Sequence, residues 1–189
     1  MIAYKAFNNK LQSVLGGKTM TMEIGNTYVE NEAKCSHNGF HCTENPLDTL
    51  DYYQSMESRF VIVKAEGEIN QDAYKTRISC TQLTLVKEIS RVQLGALACE
   101  YLRKYPDRDN KSRYLAIEDG IVHETGDFII VRGKHPYGKG VKGSYVFLLK
   151  ERKNSNEIEQ IYPFYIDGKE IKANKYYGLR GDKLCEKKS

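Results

Sequence analysis

The densest group of reactive side chains is Cys35-Ser36-His37-Asn38-Gly39-Phe40-His41-Cys42. Cysteine and histidine are the ligands of tetrahedral zinc, and Cys35, His37, His41 and Cys42 would supply four of them within one turn. Structural zinc sites usually draw two ligands from each of two distant turns, and no second CxxC or HxxxH follows here. If residues 39–42 are a strand, His41 and Cys42 point to opposite faces and cannot share one ion. The same spacing then reads as a turn at Gly39, with Phe40 and Cys42 in the core and His41 facing a cleft or solvent. A Cys35–Cys42 redox pair is a further reading.

Carboxylate pairs occur at Glu66/Glu68 and Glu157/Glu159. On a strand, residues i and i+2 share a face, so either pair could do acid–base or ribose-binding work, or form the wet side of a half-buried sheet. No nucleophile elbow, HExxH, dinucleotide fingerprint or EF-hand loop is present. The strongest charge concentration is at 132–153, with seven basic residues and one acidic. Its glycines and Pro136 read as a loop, where Arg132, Lys134, Lys139 and Lys142 could meet an anion and Tyr137 could stack on a base. It is not a phosphate-binding P-loop, because the spacing fails and no helix follows.

Those residues need elements to hold them. Ile2–Phe7 alternates as a strand, and Gly16-Gly17 breaks the chain. Asn45-Pro46-Leu47-Asp48 is a helix start, with a cap, a proline in the first turn and an acid facing the dipole. That helix is expected to reach Met56. Strands are expected over 59–69 and 78–86. Ser90-Arg91-Val92-Gln93 has the capping-box form and opens a nearly all-apolar helix that stops before Pro106. Short strands are expected at 113–118, 121–124, 127–132, 144–150, 157–166 and 170–179, with turns at Asp119-Gly120, Asp167-Gly168 and Gly181-Asp182. The expected fold is α+β: two helices packed on N-terminal strands, then a mostly antiparallel C-terminal sheet. Residues 1–106 form one unit and 107–189 a second, β-rich one.

The chain of 189 residues is 40% hydrophobic and 29% charged, enough for a packed core and unlike a disordered polymer. Its net charge of +4 permits an anionic partner without requiring one. The odd count of five cysteines argues against a disulfide framework. No apolar run is long enough to span a membrane, and no secretory signal opens the chain, so a cytoplasmic location and no membrane partner are expected.

Two resemblances add to this reading. The order Tyr4-Lys5, acidic loop, Gly39-Phe40-His41-Cys42, then a helix carrying Tyr52 and Tyr53 resembles the nicotinamide pocket of ADP-ribosyltransferases. The likeness implies NAD as cofactor, Tyr4 or Lys5 at the ribose, His41 beside the pocket, Tyr53 on the nicotinamide ring, and a late catalytic acid at Glu157 or Glu159. Tyr4-Lys5-Ala6-Phe7 together with Cys35…Gly39-Phe40-His41-Cys42…Pro46-Leu47-Asp48…Tyr52-Tyr53 is also similar to an uncharacterised family of small bacterial and phage proteins. That likeness covers about 110 residues at the start and about 20 at the end, around Asp167–Ala173 and Tyr176-Tyr177. It implies a phage or mobile-element origin and no particular chemistry.

The expected function is therefore an accessory protein that binds a host protein or nucleoprotein complex, with no cofactor. It could block a nucleic-acid-directed defence in the manner of an anti-CRISPR protein. Arg132, Lys134, Tyr137, Lys139 and Lys142 would be its contact surface. The alternatives are an ADP-ribosyltransferase-like enzyme using Tyr4, His41, Tyr53 and Glu159, and a phage structural or morphogenesis protein.

Overall fold

The computed structural model describes residues 1–14, 18–35, 37–71, 76–108 and 110–187, so the expected Gly16-Gly17 break and Ser36 lie outside the described residues. Strands dominate. The elements are β1 (Ile2–Phe7), β2 (Gln12–Ser13), β3 (Met20–Thr21), β4 (Thr27–Val29), β5 (Phe40–Thr43), a 3-10 turn (Pro46–Asp48), α1 (Thr49–Tyr52), β6 (Arg59–Gln71), β7 (Arg77–Ile89), α2 (Arg91–Lys104), β8 (Leu115–Val122), β9 (Phe128–Gly140), β10 (Tyr145–Glu151), β11 (Ile158–Tyr165), β12 (Tyr177–Arg180) and β13 (Lys183–Glu186). The chain divides into two compact units, Met1–Ser90 and Arg91–Ser189.

The α+β expectation is corrected: this is a β-rich fold. The first helix is one turn that ends at Tyr52 rather than near Met56. The second, α2, packs on β9, β10 and β11. Gly95 sets its seat, because a Cβ there would lie 2.9 Å from the Phe147 ring and 3.0 Å from the Phe128 ring. The C-terminal sheet is mixed rather than mostly antiparallel, since β9 pairs in parallel with both β8 and β10. Asp119-Gly120 is not a turn. It continues β8 past a bulge at Glu118, whose φ is +64°.

Residues 132–140 are likewise strand, not loop. Gly138 and Gly140 face inward, where Cβ atoms would come within 2.3 Å of Val146 and Val122 respectively. Glycine here marks a close sheet approach and not a flexible tip.

In the first unit, β1 pairs with β6, β6 with β7, and β7 with β5 and β4. A pairing of β1 with β5 closes the sheet on itself. Ala3 and Phe7 of β1, Phe40 and Cys42 of β5, Val61 and Val63 of β6, and Ile78, Cys80 and Leu83 of β7 form its core. The strict alternation of β1 places Lys5 on that inward face, between Ala3 and Phe7.

Candidate functional site

The closure between β1 and β5 rests on one register pair, Tyr4 with Thr43. Continuing that register would set Ala6 against His41 and Phe7 against Phe40, but the strands part instead. The Lys5 side chain enters the opened seam, and its Nζ donates to the His41 carbonyl oxygen at 2.7 Å. An ammonium thus occupies a ladder position that a backbone N–H would normally fill.

A cavity of about 810 Å³ lies along this seam. Tyr4, Phe40, His41, Tyr52 and Tyr53 give it aromatic walls, Lys5, Lys18 and Arg77 give it positive charge, and Glu30 is the one carboxylate among its lining residues. The volume falls within the range typical of small-molecule and cofactor sites.

Local chemistry places each wall. Gly39, at φ +84°, turns the chain into β5, and a Cβ there would lie 2.5 Å from Ser79 Oγ and 3.0 Å from the Cys80 carbonyl oxygen. As expected from the sequence, Asn45 caps the next turn: its Oδ1 accepts from Leu47 N at 3.1 Å, and Pro46 occupies the first turn. Asn45 Nδ2 donates to Asp48 Oδ1 at 3.1 Å, and Thr76 Oγ1 donates to Asp48 Oδ2 at 2.5 Å. This network ties the turn to the start of β7 and sets Tyr52 and Tyr53 against the seam. Val14 N donates to the Tyr53 hydroxyl at 3.0 Å, which fixes that ring in place.

Burial holds the Lys5 ammonium below its usual pKa, although Cys42 and Cys80 pull the other way. Burial also lowers the His41 pKa, reinforced by the positive charges of Lys5 and Arg77, so its imidazole is neutral at pH 7. Burial raises the Tyr4 pKa, keeping the phenol protonated. The hydrogen bond with Cys80, together with burial, pushes the Cys42 thiol well above its ordinary value, so it stays a protonated core group.

The structure brings Tyr4, Lys5, His41 and Tyr53 to one cavity, and of the Cys/His quartet His37, His41 and Cys42 also line it while Cys35 does not. Cys42 belongs to the core and reaches the cavity only as part of its inner wall, whereas His41 alternates to the opposite face of β5. The Cys35 thiol donates to the Asn70 carbonyl oxygen at 3.1 Å, and the exposed His37 places Nδ1 3.1 Å from the Cys35 carbonyl oxygen. Among the described residues, no three His, Cys, Asp or Glu side chains are grouped as metal ligands.

The carboxylate pairs are also elsewhere. Glu66 is ion-paired with Lys64 at 2.7 Å, Glu157 with Arg152 at 3.2 Å and Glu159 with Lys150 at 2.7 Å, and none lines the cavity. Sequence reasoning missed Glu30, because a single acid in a polar stretch carries no periodic signal.

The expected basic loop is partly consumed by its own fold. Arg132 is buried, with Nε 2.5 Å from Glu151 Oε1 and an N–H donated to the Asn156 carbonyl oxygen at 2.8 Å. Lys134 Nζ sits 3.1 Å from Glu151 Oε2 and donates to the Arg152 carbonyl oxygen at 2.7 Å. Burial opposes the Glu151 charge, yet these two cations hold its carboxyl below the usual range. Tyr137 and Lys139 are half-buried and Lys142 is exposed. No helix among the described residues is long and apolar enough to cross a membrane.

Residues 1–97, which span the whole first unit and the first half of α2, match a family described as a domain of unknown function (DUF7666). The match coincides with the N-terminal part of the likeness to an uncharacterised family, and a phage origin forms no part of it. No curated protein and no solved structure matches the chain. Since the match takes in the opened seam and every residue that lines it, the chain belongs to the DUF7666 family of uncharacterised domains.

Proposed function

We propose that the first unit binds a nicotinamide dinucleotide in the seam between β1 and β5 and acts on it as an ADP-ribosyltransferase-like enzyme. The observation that carries this reading is the parting of the two strands beside Tyr4 and Thr43, with Tyr4, Lys5, His41 and Tyr53 around one cavity. Tyr52 and Tyr53 offer faces to a flat heteroaromatic ring. Lys5, Lys18 and Arg77 outweigh Glu30 in charge, which suits a diphosphate. A neutral His41 both donates and accepts, as ribose hydroxyls require.

Glu159 is replaced in this scheme by Glu30, the carboxylate that lines the cavity. When the bond between the ribose C1′ and the nicotinamide nitrogen breaks, the electron pair leaves with nicotinamide and the sugar becomes cationic. A carboxylate beside the sugar stabilises that charge until a nucleophile adds and gives up its proton. The reading as a host-macromolecule binder is weaker, because Arg132 and Lys134 of its contact surface are bonded within the second unit.

Calorimetry with NAD tests the binding, and transfer of adenylate-labelled NAD onto lysate proteins, with nicotinamide release, tests the chemistry. Saturable binding is expected, weakened about fivefold or more by Tyr52→Ala or Tyr53→Ala. Glu30→Gln is expected to bind NAD and release no nicotinamide. Absence of heat at millimolar NAD overturns the proposal.

A further inference from the structure

The second unit presents an aromatic and cationic sheet face remote in chemistry from the cleft. On β9, Tyr137 and Lys139 alternate with the inward Gly138 and Gly140 and so point outward. Register carries this outer face sideways. Tyr137 pairs with Asp119 of β8 and Gly178 of β12, Gly178 with Cys185 of β13, and Arg180 with Lys183. The alternate residues Tyr177, Leu179 and Leu184 pack on the core. The Tyr137 ring lies across Gly178, where a Cβ would come within 2.5 Å of it. Lys187 Nζ stands 3.8 Å from the Tyr137 ring centroid, and Lys139 Nζ stands 4.5 Å from that of Tyr176. Lys187 N donates to the Tyr176 carbonyl oxygen at 2.8 Å, which joins the two ring–lysine pairs. Lys139, Arg180, Lys183 and Lys187 thus face one carboxylate on the sheet, Asp119, with Asp182 in the turn between β12 and β13.

We infer that this face binds single-stranded nucleic acid. Four cations favour a polyanion, and the two half-buried tyrosines beside them favour one with unpaired rings. The lysines sit over the rings on apolar stems and can swing to phosphates when bases take their place. A sheet face offers no helix or projecting ribbon to enter a duplex groove. An acidic protein would use the cations and leave the tyrosines idle.

Fluorescence anisotropy of short labelled oligothymidylate and oligouridylate, with the full chain, tests this. The expected log–log salt slope is about −3, from four cations at about 0.7 each. Tyr137→Leu and Tyr176→Leu are each expected to weaken binding about fivefold or more at unchanged slope. Lys187→Gln, an exposed change, is expected to lower the slope by about 0.7. The stronger of the two oligomers assigns RNA or DNA. Equal binding of duplex or polyglutamate, wild-type affinity in both folded tyrosine variants, or no binding at low salt overturns the inference. For a tyrosine variant whose circular dichroism shows it unfolded, the wild-type slope and Lys187→Gln decide. NAD titrations address the other unit, so the two proposals fail separately.

Discussion

Replacing Lys5 by methionine keeps the reach of the side chain and removes its charge at a strand position flanked by Ala3 and Phe7. Lys5 is 8% exposed, and its ammonium lies 2.7 Å from the His41 carbonyl oxygen. Two contributions oppose each other. Losing a hydrogen bond from a charged donor costs about 1.5–3 kcal/mol. Removing a buried ammonium recovers several kcal/mol of desolvation. Burial lowers the Lys5 pKa even though Cys42 and Cys80 raise it, so desolvation is the larger contribution in the folded chain. Lys5→Met is therefore expected to be neutral, or stabilising by about 1–2 kcal/mol, in urea unfolding near pH 7.

The sign of the pH dependence follows from the same shift. Between the lowered folded pKa and 10.5, the unfolded chain holds a proton that the folded chain has lost. Wild-type stability therefore rises with pH through that window, and the variant lacks this rise. The advantage of the variant is expected to shrink as the pH approaches 10.5, while its affinity for an anionic ligand falls below the folded Lys5 pKa and matches the wild type above it. A loss of more than about 3 kcal/mol near neutrality, with the pH dependence intact, refutes the reasoning and makes Lys5 a strut across the seam.

His41 has a folded pKa below 6.5, so wild-type stability is expected to fall as the pH drops from 6.5 towards that folded value, and His41→Asn is expected to flatten this slope in a denaturation series. Gly39→Ala forces a side chain into the left-handed region against Ser79 Oγ and the Cys80 carbonyl oxygen, and is expected to lower stability by about 2 kcal/mol or more, read as a reduced urea midpoint. Asp127 accepts from Arg91 Nε at 2.7 Å in a buried ion pair. Asp127→Ala removes the carboxylate that balances the buried Arg91 charge and is expected to cost the second unit about 3–5 kcal/mol, whereas an unchanged melting profile rules out a structural role for the pair.

Much of the cleft was legible locally. Alternation along residues 39–42 sent Phe40 and Cys42 into the core and His41 to the opposite face, and Asn45-Pro46 announced its own capped turn. Both signals depend only on neighbours within a few residues. The misreadings share a cause as well. Gly138 and Gly140 read as loop glycines because the valines that leave them no room lie in other strands. Asp119-Gly120 read as a turn because its parallel partner, β9, comes later in the chain.

The sequence by itself determined which residues alternate, where short turns are capped, and that charge gathers late in the chain, because those properties are set by backbone geometry and side-chain type. Only the tertiary structure decided that β1 and β5 meet at one pair and then part, that Lys5 fills the gap, that Glu30 joins the cavity, and that Arg132 is ion-paired with Glu151 while Tyr137 and Lys139 face outward. Each depends on partners distant in the sequence, and no local pattern encodes the closure of a sheet on itself.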